Sequence, residues 1–299
     1  MSDFPLPAKR DVRRSFERAA PTYDGAALLQ REVCERIFQR LDYIKIDPRR
    51  ILDIGCGTGY GAAKLMERYA RASVTGIDLA HAMLSLSARR NAPRSLLRRL
   101  SLQASRYHGV CADAEALPVT SASCELFFSS LTLQWCDPQR FFTEAWRVLA
   151  PGGLLMFSTF GPDTLKELRA AFANIDARPH VNPFLDMHDV GDLLLGAGFA
   201  DPVMDMEIIT LTYADLKAML SELKSIGAHN VMPGRRAGLM GRDAWQRLVA
   251  RYEAYRKDAR LPATFEVVYG HAWKLAAAKR NRDDGRQVID FHPAQKAGR

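Results

Sequence analysis

At 299 residues, 47% of them hydrophobic, and with a formal net charge of +8, the chain can bury a sizeable core and favours an anionic partner. No apolar run approaches the roughly 20 residues that cross a bilayer, and Met1-Ser2-Asp3-Phe4-Pro5 carries no apolar signal region, so neither a membrane span nor secretion is expected. The five cysteines, Cys34, Cys56, Cys111, Cys124 and Cys136, form no C-x-x-C pair, which argues against a disulfide framework or a zinc site and for reduced thiols in the cytoplasm.

The first predicted element is a helix from Lys9 to Tyr23, with Val12, Phe16 and Ala19 or Ala20 at helical spacing and Pro21 as its stop. A second helix carries Leu28 or Leu29, Val33, Ile37 and Leu41 on one face. Five short buried strands follow: Ile51 to Ile54, Val74 to Ile77, Tyr107 to Cys111, Glu125 to Ser129 and Leu154 to Thr159. Helical segments separate them, the alternation of an α/β, doubly wound, mostly parallel sheet. Beyond Gly161-Pro162, Thr164 and Glu167 predict a capping box for a helix with Leu165, Leu168 and Phe172 buried. The loop Asp176 to Phe184 leads to another helix ending near Gly198, and Val203 to Tyr213 and Ala263 to Trp273 read as two more strands. About fifty residues separate these strands, too many for a plain loop, so Asp215 to Arg260 is read as a helical insertion covering the site. The division is therefore helices over 1–48, an αβ core over 49–212, a helical lid over 213–262, a final strand over 263–273 and a disordered basic tail over 274–299.

The most telling stretch is Asp53-Ile54-Gly55-Cys56-Gly57-Thr58-Gly59, followed by Val74-Thr75-Gly76-Ile77-Asp78. An apolar strand enters a glycine-rich turn, and the next strand ends in a carboxylate that can accept from two ribose hydroxyls. A dinucleotide site would read G-x-G-x-x-G, but position 60 is Tyr60 and the pattern is D-x-G-x-G-x-G. This pattern resembles the first motif of the class I S-adenosylmethionine-dependent methyltransferases, a fold of seven strands with the last inserted antiparallel. The resemblance implies that Gly55, Gly57 and Gly59 lie along the methionine part of S-adenosylmethionine. It implies that Asp53 fixes the turn and the methionine amino group, and that Asp78, with Leu79 beside it, holds the ribose. Cys111-Ala112-Asp113-Ala114 resembles the end of the third strand of that fold, which gives Asp113 the adenine amino group and Ala114 a ring nitrogen.

The acceptor is narrowed by what is missing. Methyltransferases acting on amide or adenine nitrogens often carry Asn/Asp-Pro-Pro-aromatic after the fourth strand, and here the chain reads Ser129-Ser130-Leu131-Thr132-Leu133-Gln134-Trp135. A carboxylate acceptor, with a pKa of about 4, is ionised at neutral pH and needs no such base. Five blocks then sharpen the reading: Ser15 to Asp24, Leu133-Gln134-Trp135, Phe157 to Leu168, Leu223 to Asn230 and Ala263 to Tyr269. Together they resemble the malonyl-[acyl-carrier protein] O-methyltransferase family of biotin synthesis, over about Arg10 to Trp273. That family esterifies the free carboxylate of malonyl-acyl-carrier protein, and an acidic carrier suits the positive charge.

The resemblance puts Tyr23 and Phe184 in the substrate pocket near the transferred methyl. Arg178, His180 and Lys224 are chosen by chemistry and position as partners for the carboxylate or for the pantetheine arm. Lys217, Lys224, Arg235, Arg236, Arg242, Arg247 and Arg251 are read as a docking face for the carrier. Alternatives on the same scaffold are a small-acid methyltransferase of the trans-aconitate type and the arginine-hydroxylating assembly factors of mitochondrial complex I. An RNA partner is disfavoured, because the basic residues of Arg89 to Arg106 and Arg235 to Arg251 lack interleaved stacking aromatics.

Overall fold

The computed structural model describes residues 6–92, 105–173, 175–176, 178–228, 230–232, 234–235, 238 and 240–275. The expected tail over 274–299 therefore falls almost wholly outside the described residues, as does Arg236. A seven-stranded sheet forms the centre, in the order β3 (Tyr107–Cys111), β2 (Ser73–Asp78), β1 (Arg50–Ile54), β4 (Cys124–Ser130), β5 (Leu149–Phe160), β7 (Leu261–Lys274), β6 (Ala200–Tyr213). The first five strands pair in parallel, and β7 lies antiparallel between β5 and β6. This is the doubly wound, mostly parallel methyltransferase sheet that the motifs imply.

Both faces of the sheet are covered, so its inner strands are apolar at successive positions. Ile51, Leu126, Phe128, Leu154 and Met156 face one core together with Val33, Ile37 and Leu41 of α2 (Leu28–Leu41) and Leu65 of α3 (Tyr60–Arg68). The alternate residues Leu52, Ile54, Phe127, Leu155 and Phe157 face a second core with Phe141, Phe142 and Ala145 of α5 (Pro138–Val148). Between β1 and β4 the chain turns to opposite sides of the sheet, and the crevice at the carboxyl ends of these strands is where such folds hold ligands.

Two local expectations are corrected. Pro21 does not stop the first helix: α1 runs Lys9–Ala26 with Pro21 inside it. The missing amide costs one backbone bond, but the next turn is held by tertiary contacts. The Thr22 hydroxyl donates to the Ser225 carbonyl (2.9 Å), and the Asp24 carboxylate accepts from the Thr58 hydroxyl (2.6 Å) and from Arg90 (2.6 Å). Nor do Thr164 and Glu167 form a capping box. The residue before α6 (Lys166–Phe172) is Leu165, in the left-handed region at φ 54°, with no side-chain cap. The Thr164 hydroxyl instead donates to the Glu266 carbonyl (3.0 Å), and the Glu167 carboxylate accepts from the Thr264 amide (3.1 Å) and hydroxyl. Both side chains are committed to docking β7. The stripe of Leu165, Leu168 and Phe172 is buried as its spacing predicts.

Between β6 and β7 lie α8 (Leu216–Ser225) and α9 (Arg242–Glu253), with Asp215 capping α8 through the Ala218 amide (2.8 Å). Leu216, Met219 and Leu223 give α8 its buried face, which leads into Gly227 packed on Phe16 and Ala19 of α1. Among the described residues no helix is long and apolar enough to cross a membrane.

Candidate active site

The turn leaving β1 is built from backbone conformation. The amides of Gly55 and Cys56 both donate to the Ile77 carbonyl at the end of β2 (2.7 and 3.1 Å). Gly55 sits at φ +69°, and a Cβ there would lie 1.8 Å from Thr132 Oγ1, so only glycine fits. Gly57, at φ +52°, donates its amide to Asp78 Oδ2 (2.9 Å) and has nothing within 4 Å of a would-be Cβ. Its side therefore opens on the cleft. The third glycine of the motif serves packing instead. Gly59 immediately precedes α3, and a Cβ on it would strike the Ser87 side chain. Gly55 and Gly57 line the cleft cavities, whereas Gly59 packs beside α4 (His81–Arg90).

A cavity runs over the ends of β1 to β3, lined by Asp78, Leu79, Asp113 and Ala114 on the sheet side and by Lys9, Val12, Phe16 and Tyr23 on the α1 side. Of the sequence-predicted cofactor residues, Gly55, Gly57, Asp78, Leu79, Asp113 and Ala114 thus come together here. Asp78 also accepts the Ala80 amide at Oδ1 (2.8 Å). Burial pushes its carboxyl up to about 6, against the backbone amides that pull it down. Three polar latches hold α1 across the opening. Lys9 Nζ reaches Asp113 (3.0 Å) and Glu115 (2.5 Å), Glu17 accepts the His81 and Ala82 amides at the start of α4 (2.7 and 3.0 Å), and Asp24 takes Thr58 and Arg90.

A second cavity continues past the turn and is lined by Asp53, Tyr23, Gln30, Arg31 and Cys34 among others. Asp53 is 3% exposed, and its Oδ2 has no hydrogen-bond partner. Burial, and then the charge of Asp78, push its carboxyl up to about 7. An orphaned buried carboxylate oxygen beside a backbone turn is what the cationic amino group of S-adenosylmethionine's methionine end would satisfy, so the residues fit the cofactor. Arg31, half-buried with its guanidinium donating to the Asp24 carbonyl (2.6 Å), is the cation at this end for a carboxylate. Sequence reasoning missed it, because an arginine on an amphipathic helix carries no signal separating it from a solvated one. Tyr23 borders both cavities. Burial, then Asp78 and Asp24, push its phenol up, so it stays protonated at neutral pH.

A third cavity lies beyond Gln30 and Trp135, which it shares with the second and first cavities respectively. Its walls are Phe160, Leu165, Leu168, Phe184, Leu220, Leu223, Ile226 and Phe265. Phe184 meets Phe160 edge-on at 5.7 Å. Tyr23 and Phe184 therefore stand in neighbouring cavities, not side by side. Of the three residues chosen for the carboxylate, only His180 lines this chamber, stacked on Phe172 at 3.7 Å with Nε2 2.7 Å from Asp176 Oδ1. Arg178 lines an outer groove that shares His180, Val181 and Phe184 with the chamber. Lys224 is exposed and borders none of these cavities, because it lies off the buried stripe of α8. Among the described residues, no lysine, arginine, aspartate or glutamate lines the chamber.

The comparisons agree with this geometry. A methyltransferase-domain family model matches residues 52–157. The malonyl-[acyl-carrier protein] O-methyltransferase of Laribacter hongkongensis is 58% identical over 95% of this chain and 96% of that protein. Its namesake from Gallionella capsiferriformans is 53% identical over 94% and 95%. That from Coxiella burnetii is 39% identical over 93% and 92%. Among solved structures, the [4+2]-cyclase SpnF superposes with a TM-score of 0.57 at 19% identity, covering 92% of this chain and all of that one (100%). A putative methyltransferase from Bacillus halodurans gives 0.55 at 16%, over 81% and 99%. At those identities the structures show the shared fold.

Proposed function

The chain belongs to the malonyl-[acyl-carrier protein] O-methyltransferase family, and from that premise we propose how its own residues serve the transfer. It is an S-adenosylmethionine-dependent methyltransferase that esterifies the free carboxylate of malonyl-acyl-carrier protein, giving the methyl ester that fatty-acid elongation extends for biotin. The Asp78 carboxylate takes the ribose, the Asp113 and Ala114 turn the adenine, and Asp53 with Arg31 the two charged groups of the methionine end. For Asp113 this requires Lys9 to share or release it. S-adenosylmethionine supplies an electrophilic sulfonium methyl, which a carboxylate oxygen can take without any proton changing hands. The protein's part is to exclude water and to orient the acceptor. Tyr23, Trp135 and Phe184 provide apolar closure around the junction of the cavities.

One observation carries the acceptor assignment: the chamber is lined by apolar and neutral polar groups, with His180 as its only ordinarily titratable side chain among the described residues. A carboxylate acceptor needs no base there, whereas a neutral nitrogen or hydroxyl acceptor would have to use His180. The thioester arm would enter along the outer groove, where the exposed Arg178 could meet a phosphate. The exposed Lys217, Lys224, Arg242 and Arg247 would face the acidic carrier. Arg235 is instead paired with Asp11 (3.2 Å), which offsets its charge, while the exposed Arg251 keeps its charge beside a bond to the Ala170 carbonyl. We place the reaction in the cytoplasm, with the carrier-borne acyl pool.

Incubation with labelled S-adenosylmethionine should put base-labile label on malonyl carrier and leave unacylated carrier unlabelled. The single-turnover rate at saturation should stay nearly flat from about pH 6.5 to 8.5, since the acceptor's pKa lies near 4. A chemical step rising about tenfold per pH unit through neutrality would mean that His180 acts as a base, and the carboxylate acceptor would give way to a nitrogen or hydroxyl.

A further inference from the structure

Apart from the Trp135 indole, six side chains with hydrogen-bonding atoms line the acceptor chamber: Gln30, Gln134, Thr164, His180, Asn182 and Asn230. Four are committed to the protein. Gln134 donates to the Leu131 carbonyl (2.7 Å) and accepts from Thr159 (3.3 Å). Thr164 binds the backbone of Glu266 in both directions (3.0 and 3.1 Å), and His180 is held by Asp176. Asn230 donates to the Pro179 carbonyl and accepts the Met232 amide (2.8 Å). The remaining two are not committed: Gln30 Oε1 and Asn182 Oδ1 are buried without a hydrogen-bond partner, and Asn182 as a whole is 8% exposed.

A buried, unpaired carboxamide is costly in the empty protein and becomes favourable when a ligand completes it. The positions of the two differ in a useful way. Gln30 lines both the methionine-end cavity and the chamber, at the junction a methyl must cross. Asn182 lies in the chamber between Val181 and Pro183, residues that border the outer groove where an acyl arm would enter.

We propose that Gln30 and Asn182 form a neutral clamp that positions the acceptor. The Gln30 amide donates to the carboxylate oxygen that is not methylated, and the Asn182 carbonyl accepts an N–H of the amide-bearing arm. This deepens the acceptor reading above and rests on it. Rotating a terminal amide by 180° exchanges its two ends, so each residue can present the end its ligand needs. A neutral clamp also suits the chemistry. A buried arginine would hold the carboxylate as firmly before transfer as during it, and would be left unpaired when the product became a neutral ester. A carboxamide holds the anion less tightly and strands no charge when the ester leaves.

The test uses the full-length protein with malonyl carrier and with a short malonyl thioester that lacks the arm, at pH 6 and pH 8. Gln30→Glu places a carboxylate opposite the acceptor. It should raise KM for both acceptors about tenfold or more at pH 8, and less at pH 6, while Kd for S-adenosylmethionine stays within about twofold. Gln30→Met should raise KM about equally at both pH values. Asn182→Leu should raise KM about fivefold or more for the carrier and leave the short thioester unchanged, a split that general loosening of the fold would not produce. Wild-type KM at pH 8 in both Gln30 variants would overturn the assignment of Gln30. So would a matching loss of cofactor affinity, which would move Gln30 to the methionine end. Equal losses on both acceptors in Asn182→Leu would overturn its assignment to the arm. If the wild-type enzyme methylates neither malonyl acceptor, the acceptor reading itself fails, and that result is distinct from all of these.

Discussion

The cofactor cleft and the acceptor chamber meet at Gln30 and Trp135, yet they are built differently. The cleft is lined on one side by strand ends and tight turns, where Gly57 gives its amide to Asp78 and Gly55 leaves no room for a Cβ. Its buried charged groups are the carboxylates of Asp53 and Asp78, with Lys9 and Arg31 at its α1 and α2 walls. The chamber is lined by side chains from separate stretches of chain: α2, the segment after β4, the end of β5, the loop around Asn182, α8 and β7. It has no backbone motif and, among the described residues, no lining acid. A cofactor used in many reactions can be met by a fixed backbone cradle, while an acceptor peculiar to one reaction has to be met by side chains that vary independently.

If this division is right, perturbations on one side should leave the other alone. The largest effect is expected from Asp78→Ala, which should weaken S-adenosylmethionine binding more than tenfold, about 1.4 kcal/mol or more. Titration calorimetry on the folded variant checks this, and unchanged affinity would break the assignment. KM for the acceptor at saturating cofactor should stay near that of the wild type.

The next effect follows from pH. Asp53 and Asp78 have carboxyls raised to about 7 and about 6 in the empty cleft, above the ordinary carboxylate range. Through these two groups the folded, ligand-free protein binds more protons than the unfolded chain between about pH 4 and pH 7, and their contribution to stability should fall as pH rises through that window. The cofactor's ammonium favours the ionised acid, so binding should release protons and tighten by up to about tenfold from pH 6 to pH 8. Calorimetry in buffers of different ionisation enthalpy reads the released protons, and a pH-independent Kd with no proton release would refute it. The chemical step at saturation should show no such dependence, which is the sharpest contrast between the two halves.

The smallest effect belongs to the outer surface. Reversing Arg242 and Arg247 to Glu should lower kcat/KM for malonyl carrier by a few-fold, chiefly through association, and added salt should lower it in the wild type in the same way. S-adenosylmethionine affinity should not change. Turnover insensitive to both would remove α9 from the docking face.

The same division explains what the sequence made legible. Asp53, Gly55, Gly57 and Asp78 were readable because a strand-turn-strand unit imposes residue types at fixed local spacing, and they line the cleft together with Asp113 and Ala114, which the resemblance implied. Gly59 was readable as part of the turn, but only the packing with Ser87 shows that its smallness serves α4. Arg31, Gln30 and Asn182 carried no signal, since an arginine or amide gains meaning only from what faces it across the fold. Arg178 and Lys224 were chosen for charge, and charge alone does not say which side of a loop or helix a residue occupies. Pro21 misled for a related reason. Local propensity forecast a stop, and long-range contacts of Thr22 and Asp24 overrode it.

The antiparallel insertion of β7 between β5 and β6 also orders events in time. Strands β1, β2, β3 and β4 can pair among themselves as soon as they have left the ribosome. The pairings Gly153 with Lys274 and Ala200 with Trp273 must wait for nearly the end of the chain. Such long-separation contacts are the slow ones in folding, because the intervening loop must be closed before they form. Until β7 arrives, β5 and β6 each expose an unpaired edge. Phe265, a wall of the acceptor chamber, is carried on that same late strand. On this order the nascent protein is assembled from the cofactor side first, and the chamber assigned to the acceptor is the last part of the molecule to close.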